Sequence, residues 1–245
     1  MFPLRDDNPT LATPIVTVLL IVANVVVWIY LQGMGYSEAV LAESVCRFGA
    51  IPAELTGLTG GHIGVSLDDD VAPCAFGGLT HGAAVTSMFL HGSWLHLIAN
   101  MWFLWLFGNN VEDSMGRVRF PVFYLITGLA ATAAHVFMAP GSVIPVVGAS
   151  GAISGVMGAY LVLYPRIRIQ TLFLFIIFVR IIPVPAWMVL ILWFGLQVLA
   201  GYHDPGMAGG VAVWAHVGGF VAGVVLVKLF ENRALVAARQ DLAVH

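Results

Sequence analysis

Charge is scarce in this chain. Lys, Arg, Asp and Glu make up 9% of its 245 residues and hydrophobic residues 60%, whereas a soluble domain carries about 25% charge. That balance excludes an ordinary water-soluble domain and points to a membrane protein. No basic patch with interleaved aromatics is present, which argues against a nucleic-acid partner. HExxH is absent, which sets aside a membrane zinc protease. His91 and His96 are spaced wrongly for two metal ligands on one helix turn. No Asp lies inside any apolar run, so an aspartyl intramembrane protease lacks its carboxylates. The soluble nucleophile elbow G-x-S-x-G fails as well, because position 152 is Ala. There are only two cysteines, Cys46 and Cys74. On an oxidising face they could form one disulfide, the alternative being two free thiols. No linker, repeat or low-complexity tract divides the chain, which predicts a single membrane domain over 1–245.

What is abundant is apolar sequence. A hydrocarbon slab of about 30 Å needs roughly 20 helical residues. Six segments qualify or nearly so: about 14–32, 86–107, 119–139, 148–164, 184–201 and 211–230. The first is read as a retained span rather than a cleaved signal peptide. A further apolar stretch, 171–182, is short, contains Arg180 and runs into Pro183 and Pro185. It is read as an interfacial or re-entrant lead into the fifth span. With a cytoplasmic N-terminus and six alternating spans, Arg5, Arg117, Arg119, Arg166, Arg168, Arg180, Lys228, Arg233 and Arg239 all face the cytoplasm, and only Arg47 faces out. That is a strong positive-inside asymmetry, and it places both termini in the cytoplasm. The expected setting is a bacterial inner membrane. The outer loop, about 33–85, is long enough to carry structure or function and holds the acidic run Asp68, Asp69 and Asp70.

Polar residues inside such a slab are costly and face a cavity or a partner. His96 and Asn100 are four apart on one face of the second span. Ser150 opens the fourth span between Gly148 and Gly151, and His216 lies six residues into the sixth. At about 1.5 Å per residue, these four converge in depth, a little below the outer surface and on three helices. A histidine can activate a serine hydroxyl as general base. The Ser150 N–H at a helix N-terminus, with the Asn100 and His96 side chains, could serve a developing oxyanion. With no Asp to orient His216, the chemistry would be that of a Ser–His dyad whose imidazole is held by packing. Gly219 and Gly223 on the sixth span and Gly151 and Gly155 on the fourth form two GxxxG faces. If these meet, Ser150 and His216 come within reach. Taken singly, each polar residue is more ordinary: Ser150 as a packing residue, His216 as a hydrogen-bonded histidine, Ser154 as a hydroxyl bonding its own helix. His135 has no placed partner.

Three segments together resemble the rhomboid family of intramembrane serine proteases. "FLHGSWLHLIANMWFLWLFGNNVED" (89–113) is similar to the family's H-x4-H-x3-N second span with a Glu twelve later. "GASGAISGVMGAY" (148–160) resembles its GxSG segment, and "WAHVGGFVAG" (214–223) its AHxxGxxxG sixth span. The resemblance covers nearly the whole chain. It implies an all-α, six-transmembrane-helix rhomboid-like bundle that cuts peptide bonds in or near transmembrane segments of other membrane proteins. Ser150 would be the nucleophile and His216 the base, while His96, Asn100 and the Ser150 N–H would form the oxyanion site. Glu112 would be a structural polar group at the cytoplasmic end of the second span, and 202–210 a mobile cap. Partners would be substrate transmembrane segments and the bilayer. No metal or cofactor is implied, and the oligomeric state is left open. The chain departs from the family twice. It lacks the Trp-Arg pair many members carry before the second span, and Ser154 replaces an aromatic that packs on the histidine in some. The competing readings are a catalytically silent member that binds or escorts membrane clients and, more weakly, a small transporter.

Overall fold

A computed structural model of the chain describes residues 2–58, 74, 82–175, 178–203 and 212–242. The acidic run Asp68–Asp70 and residues 204–210 of the expected cap lie outside the described residues. In chain order the elements are β1 (Phe2–Asp6), α1 (Ile15–Tyr30), α2 (Glu38–Phe48), α3 (Pro52–Leu55), α4 (Ala83–Thr86), α5 (Trp94–Met115), α6 (Arg119–Met138), α7 (Ser150–Leu163), β2 (Arg168–Phe175), β3 (Phe178–Pro185), α8 (Ala186–His203), α9 (Val213–Phe230) and α10 (Arg233–Leu242). The fold is mostly helical. Among the described residues, α6, α8 and α9 are long and apolar enough to cross a membrane, while α1 and α7 are shorter apolar helices.

The expectation of an all-α fold needs correction. The stretch 171–182, expected as an interfacial or re-entrant lead into the fifth span, belongs to an antiparallel hairpin, β2–β3, to which β1 adds a third strand in the order β1-β2-β3. The reason is legible in its chemistry. The run is rich in β-branched and aromatic residues, which fit a pleated surface. Ile169 and Thr171 are fully buried while Arg168 is exposed, a period of two. Pro183 and Pro185 sit on β3, an edge strand, where a missing N–H is tolerated.

The second span is shifted relative to the expected 86–107. Its helix begins at Trp94, because the Ser93 side chain accepts from the His96 N–H at 3.1 Å as N-cap. It runs on through NNVED to Met115 and stops at Gly116, whose φ of 82° suits glycine. The polar extension has structural work to do. α1 starts after Pro14 with no side-chain cap of its own. Glu112 reaches across and accepts from Val16 N (3.0 Å), Thr17 N (2.7 Å) and Thr17 Oγ1 (2.8 Å), satisfying orphan donors of α1's first turn. Asp113 takes the N–H groups of Leu11 and Ala12 at 2.7 and 3.1 Å.

Helix α7 is the centre of the bundle, buried from Gly151 through Tyr160, and packs on α9, α6, α5 and α8. Its approach to α9 is set by glycine. A Cβ at Gly219 would strike the Gly151 carbonyl oxygen, one at Gly223 the Gly155 carbonyl oxygen, and one at Gly158 the Phe220 carbonyl oxygen. The two GxxxG faces therefore meet backbone to backbone.

The loop before α5 is anchored without a Trp-Arg pair. Gln32 bonds both backbone groups of His91, its amide donating to the carbonyl and accepting from the N–H, each at 2.8 Å. Thr86 Oγ1 donates to the Phe48 carbonyl at 2.7 Å, and Cys46 is joined to Cys74.

Two outcomes follow from this packing. Gly223→Ala should cost about 1–3 kcal/mol by overpacking, read as a thermal midpoint in detergent lower by about 2–4 °C per kcal/mol. Gly195→Ala, where an added methyl meets nothing within 4 Å, should leave the midpoint unchanged or raise it. Glu112→Ala, which strands buried donors at the start of α1, should cost about 2–4 kcal/mol, with amide exchange accelerated first at Val16 and Thr17.

Candidate active site

Ser150 is the first residue of α7, so its N–H has no acceptor within the helix. The segment leading into it is clamped on both sides. Val146 and Ala50 exchange backbone hydrogen bonds of 2.8 and 3.0 Å, and the Gly148 N–H donates to the Ser87 carbonyl at 2.9 Å. Gly148 has a φ of 123°, and a Cβ there would lie 2.7 Å from His96 Nε2. Glycine is needed here both for the backbone turn and to let the His96 ring come up to the serine.

Across the α7–α9 contact, His216 sits one turn before Gly219, as Ser150 sits just before Gly151. The close approach of the glycine faces brings the two side chains together, with Ser150 Oγ 2.7 Å from His216 Nε2. His216 is almost wholly buried. Both residues line a cavity of about 610 Å³, which His96, Asn100 and Trp193 also line. That volume is in the range of small-ligand pockets.

His96 Nδ1 lies 3.4 Å from the Gly92 N–H, which donates to it. That contact suits the tautomer whose proton is on Nε2, the nitrogen facing Gly148 and Ser150. Asn100 is buried and its Nδ2 donates to the His96 carbonyl at 2.9 Å, leaving the second amide hydrogen for the cavity. Ser154 Oγ donates to the Ser150 carbonyl at 2.6 Å, the local bond expected for a helical serine. Glu112, twelve residues beyond Asn100 on α5, bonds the start of α1 and acts in the packing described above. His91 packs edge to face on His96, ring centroids 5.1 Å apart.

Sequence reasoning missed what holds the His216 ring. It assigned that task to packing and named no residue. Gln197 of α8 places its Oε1 2.9 Å from His216 Nδ1. Trp193, one turn earlier on the same face, has its ring centroid 5.8 Å from that of His216. A signal was present: Gln197 is the one amide side chain in α8, and a polar group amid an apolar run invites the question of its partner.

Residues 81–233 match the family model of the rhomboid domain. Rhomboid-like protein 11, chloroplastic, of Arabidopsis thaliana is 39% identical over 71 residues, 29% of this chain and 25% of that one. Rhomboid protease GluP of Bacillus subtilis is 34% identical over 142 residues, 58% of this chain and 25% of the relative. Rhomboid protein 1, mitochondrial, of Saccharomyces cerevisiae is 29% identical over 163 residues, 64% and 43% of the two chains. The matched stretches thus span a quarter of the first two relatives and under half of the third. The domain match takes in α4 through α9, and with them Ser150 and His216. Since it covers more than half of the sequence, the chain belongs to the rhomboid family.

Proposed function

We propose that this protein is an intramembrane serine endopeptidase that cleaves peptide bonds in or near transmembrane segments of other membrane proteins. The observation that carries the reading is the 2.7 Å contact between Ser150 Oγ and His216 Nε2 at the wall of an open cavity. A serine that only packed between helices would have no use for an imidazole at that distance. In the reaction, His216 Nε2 takes the Ser150 hydroxyl proton as Oγ attacks the scissile carbonyl carbon. The tetrahedral oxyanion is met by the Ser150 N–H, His96 Nε2–H and the Asn100 amide. Collapse breaks the C–N bond, and the amine leaves with the proton from His216. Water, deprotonated in turn by His216, hydrolyses the acyl ester and frees Ser150.

The membrane setting belongs to the same proposal. A single rhomboid-like domain over 1–245 crosses the bilayer six times, with both termini in the cytoplasm. The positive-inside asymmetry of its Lys and Arg residues supports this. The fourteen residues of α7 span roughly 21 Å, short of the ~30 Å slab. With its C-terminal end at the cytoplasmic interface, Ser150 sits below the outer surface under a water-filled notch. The site then opens to the extracytoplasmic side, in a bacterial inner membrane. Substrates are membrane helices that unwind easily and carry small residues at the cut. No metal or cofactor takes part.

Purified protein in detergent, given a labelled single-span substrate, should cleave it. Ser150→Ala and His216→Ala should each lower kcat/KM by about 10³-fold or more. A fluorophosphonate should label wild type and not Ser150→Ala. Cleavage that survives Ser150→Ala would falsify the assignment. Wild type that co-purifies with the substrate and cuts nothing would instead favour a client-binding member of the family.

A further inference from the structure

We infer that Gln197 is a positioning residue for His216, holding the imidazole in the one tautomer that can accept the serine proton. The inference rests on the protease reading of Ser150 and His216 and adds a third group to it, drawn from a different helix.

The chain of contacts is short. Ser150 Oγ is 2.7 Å from His216 Nε2, and His216 Nδ1 is 2.9 Å from Gln197 Oε1. A neutral imidazole carries one N–H. With the amide oxygen facing Nδ1, that proton sits on Nδ1, and Nε2 presents its lone pair to the hydroxyl. Turned the other way, the amide would donate to Nδ1, force the proton onto Nε2, and leave nothing to receive the serine proton. The orientation of this one amide therefore decides whether His216 can act as a base.

The geometry around Gln197 is built to hold it. Trp193, Gln197 and Gly201 lie at i, i+4 and i+8 on one stripe of α8, and that stripe faces α9. Trp193 lies against the His216 ring. Phe194 stacks on Phe220 of α9 at 4.7 Å, 26° between planes. At Gly201 an added Cβ would come within 3.0 Å of the Trp214 indole. The opposite side of α8 is exposed and apolar, including Met188, Leu192, Leu196 and Leu199. Gln197 thus points inward from a helix whose other face has no polar function.

An amide is also the right chemistry for this depth. A carboxylate would orient the ring as well and would stabilise the imidazolium more. An ion buried beside hydrocarbon carries a heavy desolvation cost. Gln supplies the same acceptor oxygen without a net charge. As His216 takes the proton, Nδ1–H becomes the donor of a charge-assisted bond to Oε1, stronger than in the resting state. An interaction that strengthens only as charge develops lowers the barrier rather than improving substrate binding.

The test uses the full-length chain in detergent with the labelled single-span substrate. Gln197→Leu removes the acceptor, and Gln197→Glu keeps an acceptor oxygen whether or not it is protonated. Gln197→Leu should lower kcat by about ten- to a hundredfold, the loss expected for one hydrogen bond to a charged partner, with KM changed less than about twofold. Gln197→Glu should restore kcat to within about threefold of wild type. Nitrogen-15 spectra of histidine-labelled wild type should show His216 protonated at Nδ1 and bare at Nε2, and a mixture of tautomers in Gln197→Leu. Wild-type kcat in Gln197→Leu, or Gln197→Glu as slow as Gln197→Leu, would overturn the role of Gln197 and leave the protease standing. A wild-type His216 protonated at Nε2 would overturn it without reference to activity, even if the leucine variant failed to fold. A wild-type chain that neither cleaves nor takes a fluorophosphonate at Ser150 would bring down the protease reading and this inference with it.

Discussion

The contact between α7 and α9 is the constraint on which the rest depends. Two helices ordinarily pack 8–10 Å apart, a separation set by the side chains between them. Here Gly219 rests on the Gly151 carbonyl and Gly223 on the Gly155 carbonyl, with no side chain in the way. In a bilayer there is no hydrophobic gain from bringing two apolar helices together. Their association rests on close van der Waals contact, and glycine pairs maximise it. The same contact sets the register of the two helices, and register decides whether residues one turn or less above the glycines face each other. Ser150 and His216 do so because Gly151 and Gly219 do.

Several backbone groups that the helices leave unpaired are met from another segment. α1 begins at a proline with no capping side chain, and Glu112 of α5 serves in its place. The backbone of His91 is turned away from any helix, and Gln32 at the far end of α1 meets both its groups. The strand-like segment before Ser150 borrows partners from Ala50 and Ser87. These contacts join residues 59 to 96 positions apart in sequence and set the two ends of α5, and so the height at which His96 and Asn100 stand.

Much of this was legible beforehand, for physical reasons that differ from element to element. α6 was placed within a residue of its ends because an apolar run bounded by Arg119 and Pro140 has one way to lie in a slab. The serine and histidine could be matched in depth because helical rise is constant. The expected span starts before α5 because hydropathy alone sees Met88, Phe89 and Leu90 and gives no weight to the break at Gly92–Ser93 or the polar turn after Phe107. The hairpin is not visible in hydropathy, because a largely apolar stretch scores the same whether it lies as helix or strand. The signal that separates them is the period of two around Ile169 and Thr171, together with two prolines that only an edge strand admits. Gln197 was passed over for a different reason. A carboxylate is the usual partner of a catalytic imidazole, and in a low-dielectric site a neutral amide can do the same positional task at lower desolvation cost.

On the protease reading, depth raises a problem that the fold answers only in part. A membrane helix satisfies every backbone carbonyl internally, so the bond to be cut is hidden from Ser150 until several i→i−4 bonds are broken. Those groups then need new partners. The clamped segment 146–148 borders the cavity, and it already shows how irregular backbone is satisfied there: Val146 pairs with Ala50 by two backbone hydrogen bonds. A substrate that unwinds beside Ser150 enters a place where irregular backbone is tolerated because water and protein polar groups replace the lost helix bonds. The cost of unwinding is then shared between substrate and site, and it falls where the substrate helix is weakest. Selectivity for helix-weakening residues would arise in this way even without a pocket that recognises any particular side chain.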